Sequence, residues 1–416
     1  FRAGSAEGRA MGDILFLSQR IPWPPDRGDK IRSHRILKRL ATIAPVHVGT
    51  FADDEEDEKY IEAMAQVTAS HCVVRRDKPM WRAGMAALGR GEPISLAAFR
   101  DARLQAYVNR VIASGRIDRI VVFSGQMAQY LPKHFGGRIV VDFCDVDSAK
   151  FQSYAASGNP LMRIVNAREA KLLGRFEKDV ARRADASLFV TPSEAALFEA
   201  RSGFSAAPIL PMGNGIDHVF FDPEADFARA DLPVGGPLIV FTGQMDYRPN
   251  VEAAVDFARN VLPTIRERRP DARFAIVGRA PVPPVTALAK LPGVIVSGGV
   301  PDVRSYIAAA DLIVAPLRIA RGIQNKVLEA MAMARPVLAS ACAAEGIEAQ
   351  DGVHLRIAER PEDEARIAFD LLGDPVGAAS LGRAARAHVI DRYGWDSALD
   401  PLERLLNDDA QSEAAE

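Results

Sequence analysis

From Ile14 onward the chain alternates short, almost wholly apolar runs with longer stretches in which apolar residues recur at helical spacing. The runs are ILFLSQ at Ile14, VHVGTFA at Val46, IDRIVVFS at Ile117, RIVVDFCD at Arg138 and SLFVTPS at Ser187. After a break come LIVFTGQ at Leu238, RFAIVGR at Arg273, VIVSGGV at Val294, LIVAPL at Leu312 and PVLAS at Pro336. Continuous Val/Ile/Leu runs suit strands buried on both faces, whereas a half-solvated strand would alternate polar and apolar residues. Interleaved with helices they predict a parallel, doubly wound sheet, and the pattern occurs twice. The expected fold class is therefore α/β, with two Rossmann-like parallel-sheet domains facing a cleft and ligands bound outside the carboxyl ends of the strands. Expected boundaries are an N-terminal domain over 11–215, a linker over 216–236 where Gly, Pro and Asp carry no periodicity, and a C-terminal domain over 237–390. A helix over 391–408, from YGWDSALDPLERLL, is expected to cross back to the N-terminal domain. Residues 1–10 and 409–416 read as disordered tails.

Composition narrows this picture. A chain of 416 residues, 48% hydrophobic and 25% charged, is long enough for two ordinary domains. A formal net charge of -2 argues against a dedicated nucleic-acid binder. Cys72, Cys144 and Cys342 lie far apart without Cys/His spacing, so neither a disulfide framework nor a metal site is expected. No apolar run approaches the roughly 20 residues that span a bilayer, and the expected location is cytoplasmic. The acidic DDEEDE at Asp53 reads as the opening of a solvated helix.

The most informative stretch is RGIQNKVLEAMAMARPV, Arg321 to Val337. LIVAPL is a strand and RIARG the loop after it, so a helix is expected from about Gln324 to Pro336, which disfavours helical geometry at Arg335. Gly322, Ile323, Gln324 and Asn325 then stand at a helix N-terminus on the carboxyl edge of a sheet, where orphan amides and the helix dipole favour phosphate. Lys326 would add a point charge, and Glu329, one turn on, would accept two vicinal ribose hydroxyls. The alternative is a Lys326–Glu329 pair along an exposed stripe, worth about 0.2–0.5 kcal/mol.

The segment NKVLEAMAMARPVLASACAAEGI resembles the donor-site helix of family 4 GT-B glycosyltransferases. FTGQMDYRPN at Phe241, FAIVGRAP at Phe274, GGVPDVRSYIAAADLIVAPLR at Gly298 and PMGNGIDHVFF at Pro211 fall where that fold has its C-terminal strands and linker. RIPWPPDRGDKIRSHRILKRLA at Arg20 and VDFCDVDSAKF at Val141 are similar to the sugar transferases of PEP-CTERM/exosortase exopolysaccharide systems. The resemblance implies metal-independent, retaining transfer of a sugar from a nucleotide-diphosphate donor to a saccharide or lipid-linked saccharide, with no tightly bound cofactor. It places Gly28, Gly243, Arg248, Gly278 and Val300 with the helix residues at the donor. Arg248 can equally be a surface arginine, and Gly28 part of a plain turn. One departure stands out: the family often has Glu, seven residues, then Glu, yet Arg321 occupies the first of those positions before Glu329. Arg321 can neutralise a phosphate or recognise an acidic sugar or pyrophosphate-linked acceptor.

Asn250 reads as the N-cap of VEAAVDFARNVLPTI, and Asp29 and Asp147 as caps of the helices that follow them. Asp145 and Asp147, in DVD, are also candidates for orienting an attacking hydroxyl. The basic, apolar-interleaved segments starting at Arg75 and Leu161 read either as solvated faces or as contacts with anionic lipid headgroups. A GT-B sugar-nucleotide epimerase and a non-catalytic nucleotide- or glycan-binding paralogue remain alternatives.

Overall fold

The apolar runs become the central strands of two sheets. The computed structural model describes residues 12–25, 27–156, 159–203, 207–233, 235–320 and 323–407; the two expected tails lie outside this set. Among the described residues, β1 (Asp13–Ser18), β2 (Val46–Ala52), β3 (Ser70–Arg75), β4 (Ile117–Phe123), β5 (Arg138–Cys144), β6 (Ala186–Phe189) and β7 (Ile209–Pro211) form a seven-stranded sheet in the order β3-β2-β1-β4-β5-β6-β7. β8 (Leu238–Thr242), β9 (Arg273–Val277), β10 (Val294–Gly298), β11 (Leu312–Ala315), β12 (Val337–Ser340) and β13 (Arg356–Ala358) form a six-stranded sheet in the order β10-β9-β8-β11-β12-β13. Every pairing between these strands is parallel. Ile14 to Leu17 and Ile239 to Phe241 are wholly buried, as strands covered on both faces require.

The chain divides into two compact units, one running to Asn214 and resuming at Ala398, the other spanning Gly215–Ser397. Residues 216–236, expected as a linker, therefore cluster with the second unit. Phe220 and Phe227 sit against the Arg304 guanidinium at 3.8 and 5.0 Å, and Asp222 pairs with Arg386 at 3.1 Å. Cation–π contacts and an ion pair thus hold a segment whose sequence shows no periodicity. No described helix is long and apolar enough to cross a membrane.

Several local readings change. The helix expected to run from Gln324 to Pro336 spans Asn325–Ala332. It stops early because Ala334 takes the left-handed conformation, φ 53°, and the amides of Ala334 and Arg335 turn back to the carbonyls of Met331 and Ala330. The acidic cluster is not wholly solvated: Asp54 caps the short Glu55–Glu58 helix, while Asp57 is buried against Lys30 at 2.5 Å. Asp29 caps nothing and pairs instead with Arg20 at 2.7 Å.

In the N-terminal unit, one side chain of the Gly28–Ile43 helix reaches across the sheet end. Buried Arg32 donates to Asp142 Oδ2 at 2.7 Å, to the carbonyls of Met212 and Gly213 at 2.7 and 2.9 Å, and to Asn214 Oδ1 at 2.9 Å. Removing the cation alone strands a buried carboxylate and three acceptors. Arg32→Met should therefore destabilise this unit by about 3–5 kcal/mol, read as an earlier urea transition in tryptophan fluorescence of the full chain; an unmoved transition contradicts this assignment.

Candidate functional site

In the C-terminal unit the chain proceeds outward from β8 through β9 to β10, then returns to place β11 on the other side of β8. Loops leaving β8 and β11 consequently diverge, and such a switch point is where open α/β sheets hold ligands. The β8 loop starts at Gly243, and the β11 loop leads into the Asn325–Ala332 helix.

Two glycines let the backbones come together there. A Cβ on Gly278 would lie 1.6 Å from the Gly243 carbonyl oxygen, and one on Gly243 would lie 2.8 Å from Asn250 Nδ2 and 3.1 Å from Lys326 Nζ. Asn250, read from sequence as a helix cap, is not one. The Arg248–Asp256 helix has Tyr247 at its N-cap, and the buried Asn250 amide donates to the Gln244 carbonyl at 2.9 Å and accepts from Lys326 Nζ at 2.5 Å. Lys326 Nζ also lies 4.7 Å from the centre of the buried Phe241 ring. Asn250 is thus a site residue that sequence reasoning missed, its cap-like position hiding a tertiary role.

Lys326 and Glu329 do not pair: among the described residues neither has an ion pair, and the Glu329 carboxylate has no hydrogen-bond partner. Both are largely enclosed, which removes the exposed-stripe alternative. Burial lowers the Lys326 ammonium to about 8, the charge of Glu329 acting against it. Burial raises the Glu329 carboxyl to about 7, with Lys326 opposing. At the helix start Gln324 gives no side-chain cap, and the first-turn amides, those of Asn325 and Lys326 among them, have no acceptor within the helix. Ile323 and Val300 pack partly buried against the core of this unit. Arg321 and Gly322 lie outside the described residues.

Arg248 is not drawn into this cluster; its guanidinium is 83% exposed and bound to Glu252 at 2.7 Å one turn along. A different cation adjoins one of the two glycines. Arg279 directly follows Gly278 at the end of β9, with its Cβ 3.5 Å from where a Cβ on Gly299 would stand. It is exposed and has no ion pair among the described residues. The sequence signal was the GR dipeptide closing RFAIVGR.

The N-terminal unit holds the other candidates. A cavity of about 530 Å³ lies at the carboxyl ends of β4 and β5, lined among others by Phe99, Phe151 and Tyr154 and by Gln126, Asp147 and Lys150. Asp147 is the first residue of the Asp147–Ala155 helix, whose N-cap is Val146. Freed from capping, its carboxylate accepts from Gln126 Nε2 at 2.6 Å and lies 3.7 Å from Lys150, and burial pushes its proton affinity up. Asp145, half exposed, lies 3.9 Å from the same ammonium. Cys144 between strand and loop has φ 65°, a strained conformation of the kind concentrated at functional sites. Gly28 opens the Gly28–Ile43 helix, and among the described residues no atom lies within 4 Å of where a Cβ would stand.

Comparison with known proteins agrees with this architecture. Residues 236–374 match the family model described as glycosyl transferases group 1. Over 242 residues the chain is 28% identical to the GDP-mannose-dependent alpha-(1-6)-phosphatidylinositol monomannoside mannosyltransferase of Mycolicibacterium smegmatis, a match covering 54% of this chain and 62% of that relative. Among solved structures, sucrose-phosphate synthase from Thermosynechococcus elongatus aligns over 97% of this chain and 100% of its own, with a TM-score of 0.60 and 19% identity. The Anabaena protein HepE in complex with UDP aligns over 95% of this chain and 100% of its own, with a TM-score of 0.60 and 16% identity. The fold is of the GT-B type, two Rossmann-like parallel-sheet domains.

The two shifted groups leave a signature in stability. Glu329 holds its proton more tightly when folded, so from its ordinary 4.5 to about 7 stability falls as pH rises. Lys326 releases its proton more readily when folded, so from about 8 to its ordinary 10.5 stability rises with pH. The unliganded protein should therefore show a dip between these ranges in thermal midpoint against pH. Glu329→Gln should flatten the acid arm and Lys326→Met the alkaline arm; unchanged arms in both variants refute the assignment.

Proposed function

We propose that this chain is a retaining glycosyltransferase that moves a sugar from a nucleoside-diphosphate donor to a saccharide hydroxyl. The observation that carries the reading is the pair of enclosed, unmatched groups at the switch point: among the described residues the Glu329 carboxylate has no hydrogen-bond partner and Lys326 is held by an amide oxygen and a ring face. A nucleoside diphosphate supplies what both lack. Its ribose hydroxyls donate to Glu329, and its phosphates accept from Lys326 and from the first-turn amides beside Gly322. Arg279 and Arg321 add charge to the same anion.

In the reaction the bond between the anomeric carbon and the diphosphate oxygen breaks, and the electron pair leaves on the diphosphate. The acceptor oxygen forms the new bond to the same carbon and passes its proton to the departing diphosphate oxygen. Lys326, the helix amides and the arginines stabilise the negative charge that grows on the leaving group. Asp147, with Asp145 nearby, orients the acceptor hydroxyl in the cavity of the N-terminal unit, whose aromatic walls suit a sugar ring.

The family match over residues 236–374 supports the reaction class. The relative named for phosphatidylinositol monomannoside supports an acceptor that is a lipid-linked saccharide, and the resemblance to exopolysaccharide transferases supports a place in surface-polysaccharide synthesis.

Calorimetry of the purified protein against a panel of nucleoside diphosphates, with and without EDTA, tests the donor site. One nucleotide should bind in both conditions, and Lys326→Ala and Glu329→Ala should each weaken it by about 1–3 kcal/mol, the scale of a charged hydrogen bond. If none binds, or both variants bind as the parent does, the helix is structural and the reading fails.

A further inference from the structure

The Met80–Arg90 helix is inside out. It buries Ala83 and Ala87 and turns outward Trp81, Met85 and Leu88, which are 60%, 64% and 68% exposed along one i, i+4, i+7 stripe. A helix packed only for a soluble domain puts its large apolar side chains inward. The first turns of the Pro160–Arg183 helix do the same with Leu161 and Ile164, at 68% and 69%.

These helices are tied together. Arg168 donates to the carbonyls of Ala87 and Glu92, both at 3.1 Å. Buried Glu169 accepts from the amides of Ile94 and Ser95 at 2.8 and 2.9 Å. The outward stripe is therefore held by tertiary contacts rather than left by a fraying end. At Gly91 and Glu92, directly past the end of the Met80–Arg90 helix, begins a groove of about 800 Å³ lined also by Arg100, Arg175, Lys178, Arg182 and Arg183, against only Glu92 and Asp179 as acids. Among the described residues Arg175, Lys178 and Arg183 have no ion pair.

We propose that this face, the Trp81–Met85–Leu88 stripe together with the adjoining basic groove, seats the N-terminal unit on an anionic lipid bilayer. Large apolar side chains enter the headgroup boundary while cations meet lipid phosphates, the combination that interfacial binding requires. Arg82, with its guanidinium 5.2 Å from the Trp81 ring centre, keeps a charge at headgroup level beside an inserted indole. Met80, at the start of the same helix, also lines the cavity that holds Asp147. A bilayer seated on the stripe thus lies next to the cavity assigned above to the acceptor. This last point rests on the proposed function; the docking surface does not.

The test is flotation of the full chain with phosphatidylcholine vesicles prepared with and without phosphatidylglycerol. The protein should float with the anionic vesicles and less so as salt rises. A Trp81→Glu/Met85→Glu variant should lose roughly tenfold or more of that binding. An Arg175→Glu/Lys178→Glu variant should lose roughly tenfold of its preference for phosphatidylglycerol. Both should keep the parent's thermal midpoint and nucleotide binding. Absence of flotation, equal binding to neutral vesicles, or full binding by the variants overturns the proposal. So does light scattering that shows a dimer dissolved by Trp81→Glu/Met85→Glu, which would assign the stripe to a second copy of this chain. Flotation without nucleotide binding would sink the transferase reading and spare this one, and the reverse result would do the opposite.

Discussion

An ammonium held by one amide oxygen and the face of a phenyl ring, with no ion pair among the described residues, is the contact on which the C-terminal site depends. A hydrogen bond to a charged group returns about 1.5–3 kcal/mol, whereas taking an ion out of water costs several. Asn250 and Phe241 therefore cannot offset the enclosure of Lys326 by themselves. The rest of the unit supplies the difference through burial. Phe241 belongs to a wholly buried strand, Asn250 is pinned by the Gln244 carbonyl, and Val327, Leu328, Ala330 and Met331 anchor the short helix on the sheet. Stability of the core is what holds the charge in a place it would not choose.

The same logic governs Glu329. Its carboxyl and the Lys326 ammonium stand one turn apart without meeting, and burial brings both towards neutral pH from opposite sides. Had they formed an ion pair, each would have been shifted the other way and neither would have capacity for a ligand. Close approach of the two loops makes this geometry possible. With any side chain at Gly278 the β9 end would collide with the Gly243 carbonyl, and the β8 loop could not pass close enough to carry Asn250 to the lysine.

How much of this could be read in the chain depends on where the determining contacts lie. Central strands announce themselves because burial on both faces demands a continuous apolar run. The edges do not: β3 is SHCVVR, while β7 and β13 are three-residue strands whose pairing is set by neighbours rather than composition. The helix at Asn325 was legible as a helix, and its amide, cation and acid as a candidate anion site, from their spacing after a strand. Its early end was not, since it relies on Ala334 adopting a conformation that alanine rarely takes. Three cap readings failed alike. Asn250, Asp147 and Asp29 have the right chemistry beside a helix start, but Lys326, Gln126 and Arg20, each outside the helix concerned, offer them partners that took precedence over the local amides.

The two units place similar helices after similar strands, yet their N-termini are chemically opposite. At the Asp147–Ala155 helix, the amide of Val146 donates to Glu194 at 2.7 Å and that of Ser148 to buried Glu177 at 2.9 Å. Those carboxylates already occupy the positive end of the helix, and an incoming phosphate would meet two acids instead of open donors. At the Asn325–Ala332 helix the N-cap Gln324 gives no side-chain cap, no acid stands in the first turn, and a lysine does. A diphosphate, as proposed above, would find open donors at the second helix and two acids at the first. The first keeps a carboxylate, an amide and aromatic walls, the equipment for an uncharged polyol. Which of the two helix ends can still take an anion thus follows from which one carboxylates already occupy.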